Sequence, residues 1–465
     1  MRPSAEPIVQ QLERIVGQQL AGAVKLPVDV TAALSGGVDS VVLLEAMRAL
    51  SRPLGFRLNA LHVNHGLSPN ADHWENFCRA HCSRRRIAFR AIKVVVRGAG
   101  TNVEAEARAA RYRAFAQLGS KVVVLGHNRE DQAETILLQL LRGAGIRGLS
   151  AMPTARFLWP QESHAGRAVA DPPPIILRPL LAVSRSDIER YAARKRLRWV
   201  EDESNSQERF ARNFLRTRIM PSLERRFPGC SATLARSSLH LAEAGQLLDH
   251  LAKIDGQGVV DGERLRIAGL KSLGQARSVN LLRFFLFSRG LALPATRHLD
   301  EILRQLCAER QDADPLLHLG QICLRRFRGW IELAPLPQVD MHSTVVRWAG
   351  QGQLALPNGG QVRVRTTRGQ GVSAAKLKDG AVTIRWRRGG ERMRLNSARP
   401  RRTLKNLLQE ARIPSWQRER MPLLYLNDEL VWAPGIGVDS NFQAHGRERA
   451  LVFSWIDPKL APTTR

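Results

Sequence analysis

Cysteine is scarce in this 465-residue chain: five in all, at positions 78, 82, 230, 307 and 323, with no Cys-x-x-Cys pair. An odd, scattered set excludes a disulfide framework, and no four-ligand zinc set is in view. Cys78 and Cys82 stand one helical turn apart, as buried thiols do. A reducing, cytoplasmic setting fits. Long apolar runs are also missing, and no stretch reaches the roughly 20 residues that a membrane helix needs. The first residues, MRPSAEPIVQQLERIVGQQLAG, mix charged and apolar positions at helical spacing without a cleavage signature, so a signal peptide is not expected. Acid is in deficit, with 42 Asp and Glu against 71 Lys and Arg, a formal net charge of +29. A surface so basic draws polyanions, and because the excess is clustered it points to nucleic acid.

What is present is organised around Ser35 to Ser40, SGGVDS, between the apolar runs Val28 to Leu34 and Val38 to Met47. That is a strand, a glycine turn and a helix start. Gly36 and Gly37 let backbone amides approach an anion, Ser35 and Ser40 add hydroxyls, and the helix beginning at Val38 turns its positive end to the same point. A phosphate is the natural guest. Asp39 inside this cradle would repel bare phosphate, so it makes sense as a ligand for Mg²⁺ carried by a nucleotide. The lysine of a Walker A loop is absent, since Val38 and Asp39 occupy its place. The hexapeptide resembles the pyrophosphate-binding loop of the N-type ATP pyrophosphatases, which implies ATP as cosubstrate and adenylation of a substrate oxygen.

Strand and helix patterns alternate from there. Leu58 to Val63, Ile87 to Val96 and Val122 to Leu125 read as strands; Asp72 to Arg86, Glu104 to Leu118 and Asp131 to Arg142 read as helices. Such alternation predicts an α/β fold with a parallel sheet, its ligands beyond the carboxyl ends of the strands, where Ser35, His65 and His127 fall. In GHNREDQAET at 126 to 135, His127, Asp131 and Glu134 share a helix side and could hold Mg²⁺ or orient an attacking group. Along NVEAEARAARYRAF at 102 to 115, Glu104 and Arg108, then Arg108 and Arg111, are turn-spaced. Solvated ion pairs and a bidentate grip on phosphate both remain open for that face.

Further on, Pro153 to Pro174 is proline- and glycine-rich and reads as a loop over the pocket. Ser184 to Arg196 reads as a Ser-capped helix, Arg209 to Arg226 as a helix ended by Pro228 and Gly229, and 231 to 255 with 276 to 310 as a helical middle region. That region either holds a large substrate or serves as a spacer. Gln353 to Arg368 reads as two strands around the turn Pro357 to Gly360. From Ile384 to Arg420 twelve arginines or lysines face only Glu391, Glu410 and Glu419, with Trp386 and Trp416 between them. This composition suits phosphate neutralisation with stacking on unpaired bases, and a helix from Thr403 behind RPRR would aim at an RNA backbone.

SGGVDS, HVNHGL at 62 to 67, EARAARYRAF at 106 to 115, GHNREDQAETILLQLLRGAGIRGL at 126 to 149, RPLL at 178 to 181 and EDESNSQERFARNFLR at 201 to 216 occur in this order. Together they resemble the bacterial tRNA(Ile)-lysidine synthetases, strongly over about residues 25 to 220 and more weakly at the C-terminal end. One departure is Glu130, where the family commonly has an aspartate beside Asp131. The resemblance implies a catalytic domain of the adenine nucleotide alpha hydrolase type over 1–228, a helical substrate-binding domain over 229–345, a linker with short strands over 346–379 and a small α+β tRNA-binding domain over 380–465. It implies catalytic Asp39, His127 and Asp131, a nucleotide seat of Ser35, Gly36, Gly37, Val38, Asp39 and Ser40, and Mg²⁺ on Asp39 and Asp131. It further implies substrate contacts from Arg108, Arg111, Glu134, Arg142, Asn213 and Arg216, and RNA contacts from Arg399, Arg401, Arg402 and Lys405. The implied partners are ATP, L-lysine and tRNA(Ile) with a CAU anticodon, without a membrane; single chain and homodimer both stay open. Competing readings are another ATP pyrophosphatase, such as a tRNA thiolase or a GMP or NAD synthetase, and a noncatalytic RNA-binding protein. A thiolase would be expected to show paired cysteines near the pocket, and small-molecule synthetases leave the basic terminal region without a use.

Overall fold

Six strands of the N-terminal part form one sheet in the order β3-β2-β1-β4-β6-β5. They are β1 (Asp29–Ala33), β2 (Arg57–Asn64), β3 (Ala88–Lys93), β4 (Val122–Val124), β5 (Ala155–Phe157) and β6 (Ile175–Leu177). All neighbouring pairs are parallel except β5 on β6. This computed structural model describes residues 7–23, 28–95, 103–158, 173–201, 203, 211–291, 293, 296–308, 316–319, 322–335 and 343–457. The parallel sheet is therefore the expected one, and its strand β4 is apolar throughout because both faces are covered: it is Val-Val-Val, fully buried.

The covering helices follow from their sequences. Helix α1 (Pro7–Ala23) buries Ile8, Leu12, Val16 and Leu20, a four-residue spacing that keeps one stripe inward. Helix α2 (Val38–Ser51) buries ten of its residues, among them Val41, Val42, Leu43, Leu44 and Met47. Each fully buried aliphatic side chain stabilises the fold by roughly 1.5–3 kcal/mol, so α2 is anchored along its length and its N-terminal end cannot drift. Helices α3 (Ala71–Arg84), α4 (Val103–Ala116), α5 (Arg129–Leu141), α6 (Ile146–Leu149) and α7 (Arg185–Arg194) complete the helical set of this unit. One core lies on the α1, α2 and α7 side; a second, with Leu61, Tyr112, Phe115, Val123, Leu125 and Ile176, lies on the α4 side. Cys78 and Cys82 are both fully buried, as expected of structural thiols.

From β1 the chain adds β2 and β3 on one side, then returns to place β4 on the other. The strand order reverses between β1 and β4, where open α/β sheets bind their ligands. The loop predicted over 153 to 174 is in part a strand: Ala155–Phe157 pairs antiparallel with β6, too short a run for periodicity to reveal. Residues 159–172 lie outside the described set.

Helix α8 (Ala211–Phe214) runs into a wider π-helical turn, Leu215–Ile219, and on into α9 (Met220–Arg226). Helix α10 (Cys230–Asp255) follows. Pro228 and Gly229 do interrupt the helices, but the compact N-terminal unit extends to Ala252, so the first boundary falls later than expected. The reason is side-chain anchoring of α10: Gln132 donates to Ser238 at 3.2 Å, and Arg147 pairs with Asp249.

The second unit covers 253–465. Its helices Gln275–Ser288 and Thr296–Leu306 fall within the expected helical span 276 to 310, give or take a residue, whereas the short helix Ile267–Ser272 and a five-stranded antiparallel sheet built from 260–261, 264–266, 316–319, 322–327 and 330–335 were not expected there. Beyond them, Val345–Arg347 pairs with Val382–Trp386, and Gln361–Arg368 pairs over its whole length with Arg449–Ile456. The span read as a linker, 346–379, thus contributes strands to the terminal sheets. Partners as far apart as Gln361 and Ile456 leave no local trace in the sequence.

Candidate active site

Between Leu34 and Val38 the chain must turn sharply while exposing amides. Gly36 does so at φ +98°, and a Cβ there would meet Val200 Cγ2 at 2.7 Å. Gly37 caps α2 with extended backbone and no side-chain bond, leaving the first amides of the helix unclaimed by a cap. The loop is internally braced: Gly36 N donates to Ser40 Oγ at 3.2 Å, Ser40 Oγ to Gly37 O at 2.9 Å, and Ser35 Oγ to Ser40 Oγ at 3.1 Å. Val200 N donates to Gly36 O at 3.0 Å and fastens the loop from outside. Val38 itself is buried and anchors the helix start.

The end of β4 meets this loop backbone to backbone. A Cβ on Gly126 would lie 3.1 Å from Asp39 C and O and 3.2 Å from Ser40 N, so only glycine lets the two strand ends close up. Asn128 then bridges the two expected acids. Its Nδ2 donates to Asp39 Oδ1 at 2.9 Å, its Oδ1 accepts from Asp131 N at 2.9 Å, and its own N donates to Asp131 Oδ2 at 3.0 Å. The last two bonds form a capping box that starts α5. Asn128 is 2 % exposed and was not singled out by sequence, although an Asn followed three residues later by an acid is a helix-start signal.

Asp39 and Asp131 differ in what their oxygens do. Asp39 Oδ2 has no partner among the described residues; burial, with Asp131 close by, pushes its carboxyl above the usual carboxylate range. Asp131 spends both oxygens, Oδ2 on Asn128 and Oδ1 on Arg212 at 3.1 Å and Arg216 at 2.8 Å. Burial would raise it, but Arg212, His127 and Arg216 hold it below its ordinary value. Glu134, 2 % exposed, binds the same two arginines, at 2.9 Å from Arg212 and 2.6 Å from Arg216. Two carboxylates and two guanidinium groups thus form one closed network. Arg216 stands in the π-helical turn, a widening that recurs at functional sites.

Among the described residues no group of three or more His, Cys, Asp or Glu is arranged to hold a metal. A lone free carboxylate oxygen at a phosphate cradle still suits Mg²⁺, which takes one or two carboxylates and completes its shell with nucleotide phosphates and water. Asp39 fits that role directly, while Asp131 contributes its charge through Asn128.

The other expected residues are placed as follows. His127 is next to the loop, its Nδ1 buried without a partner; burial, together with Arg178, Arg212 and Arg108, keeps it neutral. His65 Nδ1 is likewise buried and unpartnered, and burial, with Arg111 nearby, takes its pKa down to about 4. Arg108 donates to Tyr112 Oη at 3.2 Å and lies over that ring, 5.0 Å from its centroid. The ion pair expected from Glu104 to Arg108 involves a side chain outside the described set. Asn213 precedes Arg216 by one turn and accepts Thr217 Oγ1 on its carbonyl at 2.9 Å. Arg142 is not brought to the loop: it caps the far end of a 13-residue helix, roughly 20 Å from Asn128, and is exposed. Glu130 also turns away, accepting Arg185 N at 2.9 Å at the start of α7, so the departure from the aspartate pair leaves the carboxylate network untouched.

In the terminal unit Arg399, Arg401 and Lys405 are exposed. Arg402 is held by Glu410, one contact at 2.9 Å, which neutralises it. Thr403 caps Leu404–Glu410 by accepting from Asn406 N, as expected. The tryptophans are a correction: Trp386 is 1 % and Trp416 5 % exposed, each packed in a core, and neither offers a face for a base to stack on. Their aromatic area is worth more inside the fold than at its surface.

Three family models match the chain: a PP-loop domain over residues 6–223, the TilS substrate binding domain over 265–332 and the TilS substrate C-terminal domain over 382–455. A tRNA(Ile)-lysidine synthase from Nitrosomonas europaea is 41 % identical over 427 residues, 91 % of each chain. One from Coxiella burnetii is 39 % identical over 420 residues, 90 % of each. No described helix is long and apolar enough to cross a membrane.

Proposed function

The chain belongs to the tRNA(Ile)-lysidine synthase family of PP-loop ligases, and we propose that it joins L-lysine to C2 of the wobble cytidine in the CAU anticodon of tRNA(Ile). ATP would be split to AMP and pyrophosphate, and decoding would switch from AUG to AUA. The observation that carries this reading is the braced Ser35–Ser40 loop at the switch point of the sheet, with Asn128 holding Asp39 beside it.

The chemistry requires activation, since a carbonyl oxygen is a poor leaving group and AMP a good one. The cytidine O2 would attack the α phosphate and expel pyrophosphate; the lysine amine would then displace AMP at C2. Amides of Gly36, Gly37 and Val38 and the serine hydroxyls would take the charge developing on pyrophosphate. Mg²⁺ held by Asp39 would add charge neutralisation on the same phosphates. The network of Asp131, Glu134, Arg212 and Arg216, with Asn213 alongside, would present its two carboxylates to an ammonium group of lysine. Neutral His127 presents an unpartnered Nδ1 that would orient the incoming group by a hydrogen bond. Arg399, Arg401 and Lys405 would neutralise RNA phosphates, and a cytoplasmic setting accords with that substrate.

Incubation with ATP, labelled lysine and tRNA tests the proposal. Label stably attached to RNA is expected; ATP turnover with lysine left free would move the chain to another PP-loop reaction.

A further inference from the structure

Tyr112, 4 % exposed on α4, gathers three arginines. Its hydroxyl accepts from Arg108 Nη2 and from Arg178 Nη2, each at 3.2 Å. The guanidinium carbons of Arg108 and Arg156 lie 5.0 and 5.2 Å from the ring centroid. Arg178, at the end of β6, is 1 % exposed; it donates to Pro153 O at 2.9 Å, and its Nε has no partner. Neither Arg108 nor Arg178 touches a carboxylate among the described residues. The acids nearby, Asp131 and Glu134, are already committed to Arg212 and Arg216.

A guanidinium buried without a counter-charge is costly, because its desolvation is not repaid by an ion pair. Such a group is retained where an anion arrives to complete it. The triphosphate is not that anion: its loop opens α2, packed in the core on one side of the sheet, whereas Tyr112 belongs to the core on the other. Yet the cluster is close to the chemistry, since Arg178 and Arg108 both act on His127. Exposure rises from buried Arg178 through half-buried Arg156 to exposed Arg108, which leaves a path inward from solvent.

We propose that Arg108, Arg156 and Arg178 around Tyr112 form a second oxyanion seat, separate from the Ser35–Ser40 loop, that holds one phosphate or carboxylate of the substrates other than ATP. The inference rests on the proposed reaction, which supplies two sources of that chemistry: an RNA phosphate beside the target cytidine, or the carboxylate of lysine. Guanidinium groups and a phenol around one oxyanion give short, directional, charge-assisted bonds to either.

Tyr112→Phe removes only the hydroxyl and Arg108→Gln only an exposed charge, so both variants should fold, as circular dichroism would verify. ATP affinity by calorimetry should stay within about twofold of wild type. If the guest is RNA phosphate, tRNA affinity should fall about tenfold and the salt dependence of binding should flatten by about one unit for Arg108→Gln. If it is the lysine carboxylate, half-saturation by lysine should rise about tenfold with the salt dependence unchanged. Either result supports the seat. Folded variants that alter neither substrate overturn it, as does a loss confined to ATP affinity. The tRNA and ATP arms read binding alone, so they hold even if the wild-type protein joins no lysine to RNA.

Discussion

Arginine has opposite uses in the two halves of this protein. In the catalytic unit Arg212 and Arg216 are locked between Asp131 and Glu134, partly buried and matched charge for charge. In the terminal unit Arg399 and Arg401, with Lys405, are exposed and have no carboxylate partner among the described residues. The first arrangement fixes geometry, because a paired guanidinium fork restrains both elements that it joins. The second keeps its charge available for a polyanion. What separates them is the supply of acid: α5 brings two carboxylates to α8 and the π-helical turn, while the span from Ile384 to Arg420 has three for twelve basic residues.

The comparison can be broken in four places. The largest effect is expected at the loop that the matched network supports: Asp39→Asn should cut ATP turnover on the order of a thousandfold, with tRNA affinity within about twofold of wild type. Retained turnover would remove Asp39 from the chemistry. Within the network, Glu134→Ala leaves two partly buried guanidinium groups to share Asp131 alone and should lower unfolding free energy by about 3 kcal/mol in a denaturant titration. A loss under about 1 kcal/mol would mean that the pairing is not structural.

Next comes acid sensitivity of the catalytic unit. His81 is 1 % exposed with Nε2 unpartnered, and burial, with Arg85 and Arg84 nearby opposing Glu45, takes its pKa down to about 4. The unfolded chain therefore binds a proton that the folded one refuses between pH 6.5 and 4. Stability should fall as pH drops through that window, by up to about 1.4 kcal/mol per pH unit. His81→Phe should flatten the decline, and an unchanged slope would show that His81 is not its source. The smallest stability change, within about 0.5 kcal/mol, is expected for the triple change of Arg399, Arg401 and Lys405 to glutamine. The same variant should nevertheless weaken tRNA binding and flatten its salt dependence by roughly one unit per residue removed. If stability fell and the salt dependence stayed put, the two uses of arginine would not divide as described.

Much of the catalytic half was legible because its signals are local. SGGVDS between two apolar runs implies strand, turn and helix start, and GHN at the end of β4 implies a second contribution to the same edge. Asn128 and Arg212 were missed for different reasons. Asn128 acts as a cap and as a bridge, and only the first use has a sequence signature. Arg212 stands in an arginine-rich segment where nothing local distinguishes the one that meets a carboxylate about 80 residues away. Trp386 and Trp416 misled because interleaved aromatics in a basic stretch look alike whether they stack on bases or fill a core. The hairpin of Gln353–Ala355 and Gln361–Arg368 was legible because its turn is local, whereas the strand Val345–Arg347 and the pairing of Gln361–Arg368 with Arg449–Ile456 were not, since those partners lie far along the chain.

The amino-acid order alone determined the parallel sheet, the glycine turn at Ser35–Ser40 and the excess of positive charge, since periodicity, glycine and net charge are properties of neighbours and of sums. Only the tertiary structure decided which arginines are spent on carboxylates, which acid keeps a free oxygen and which tryptophans are buried. Those outcomes depend on distances between segments remote in sequence, and Coulombic and packing energies at a few ångströms are set by the folded geometry.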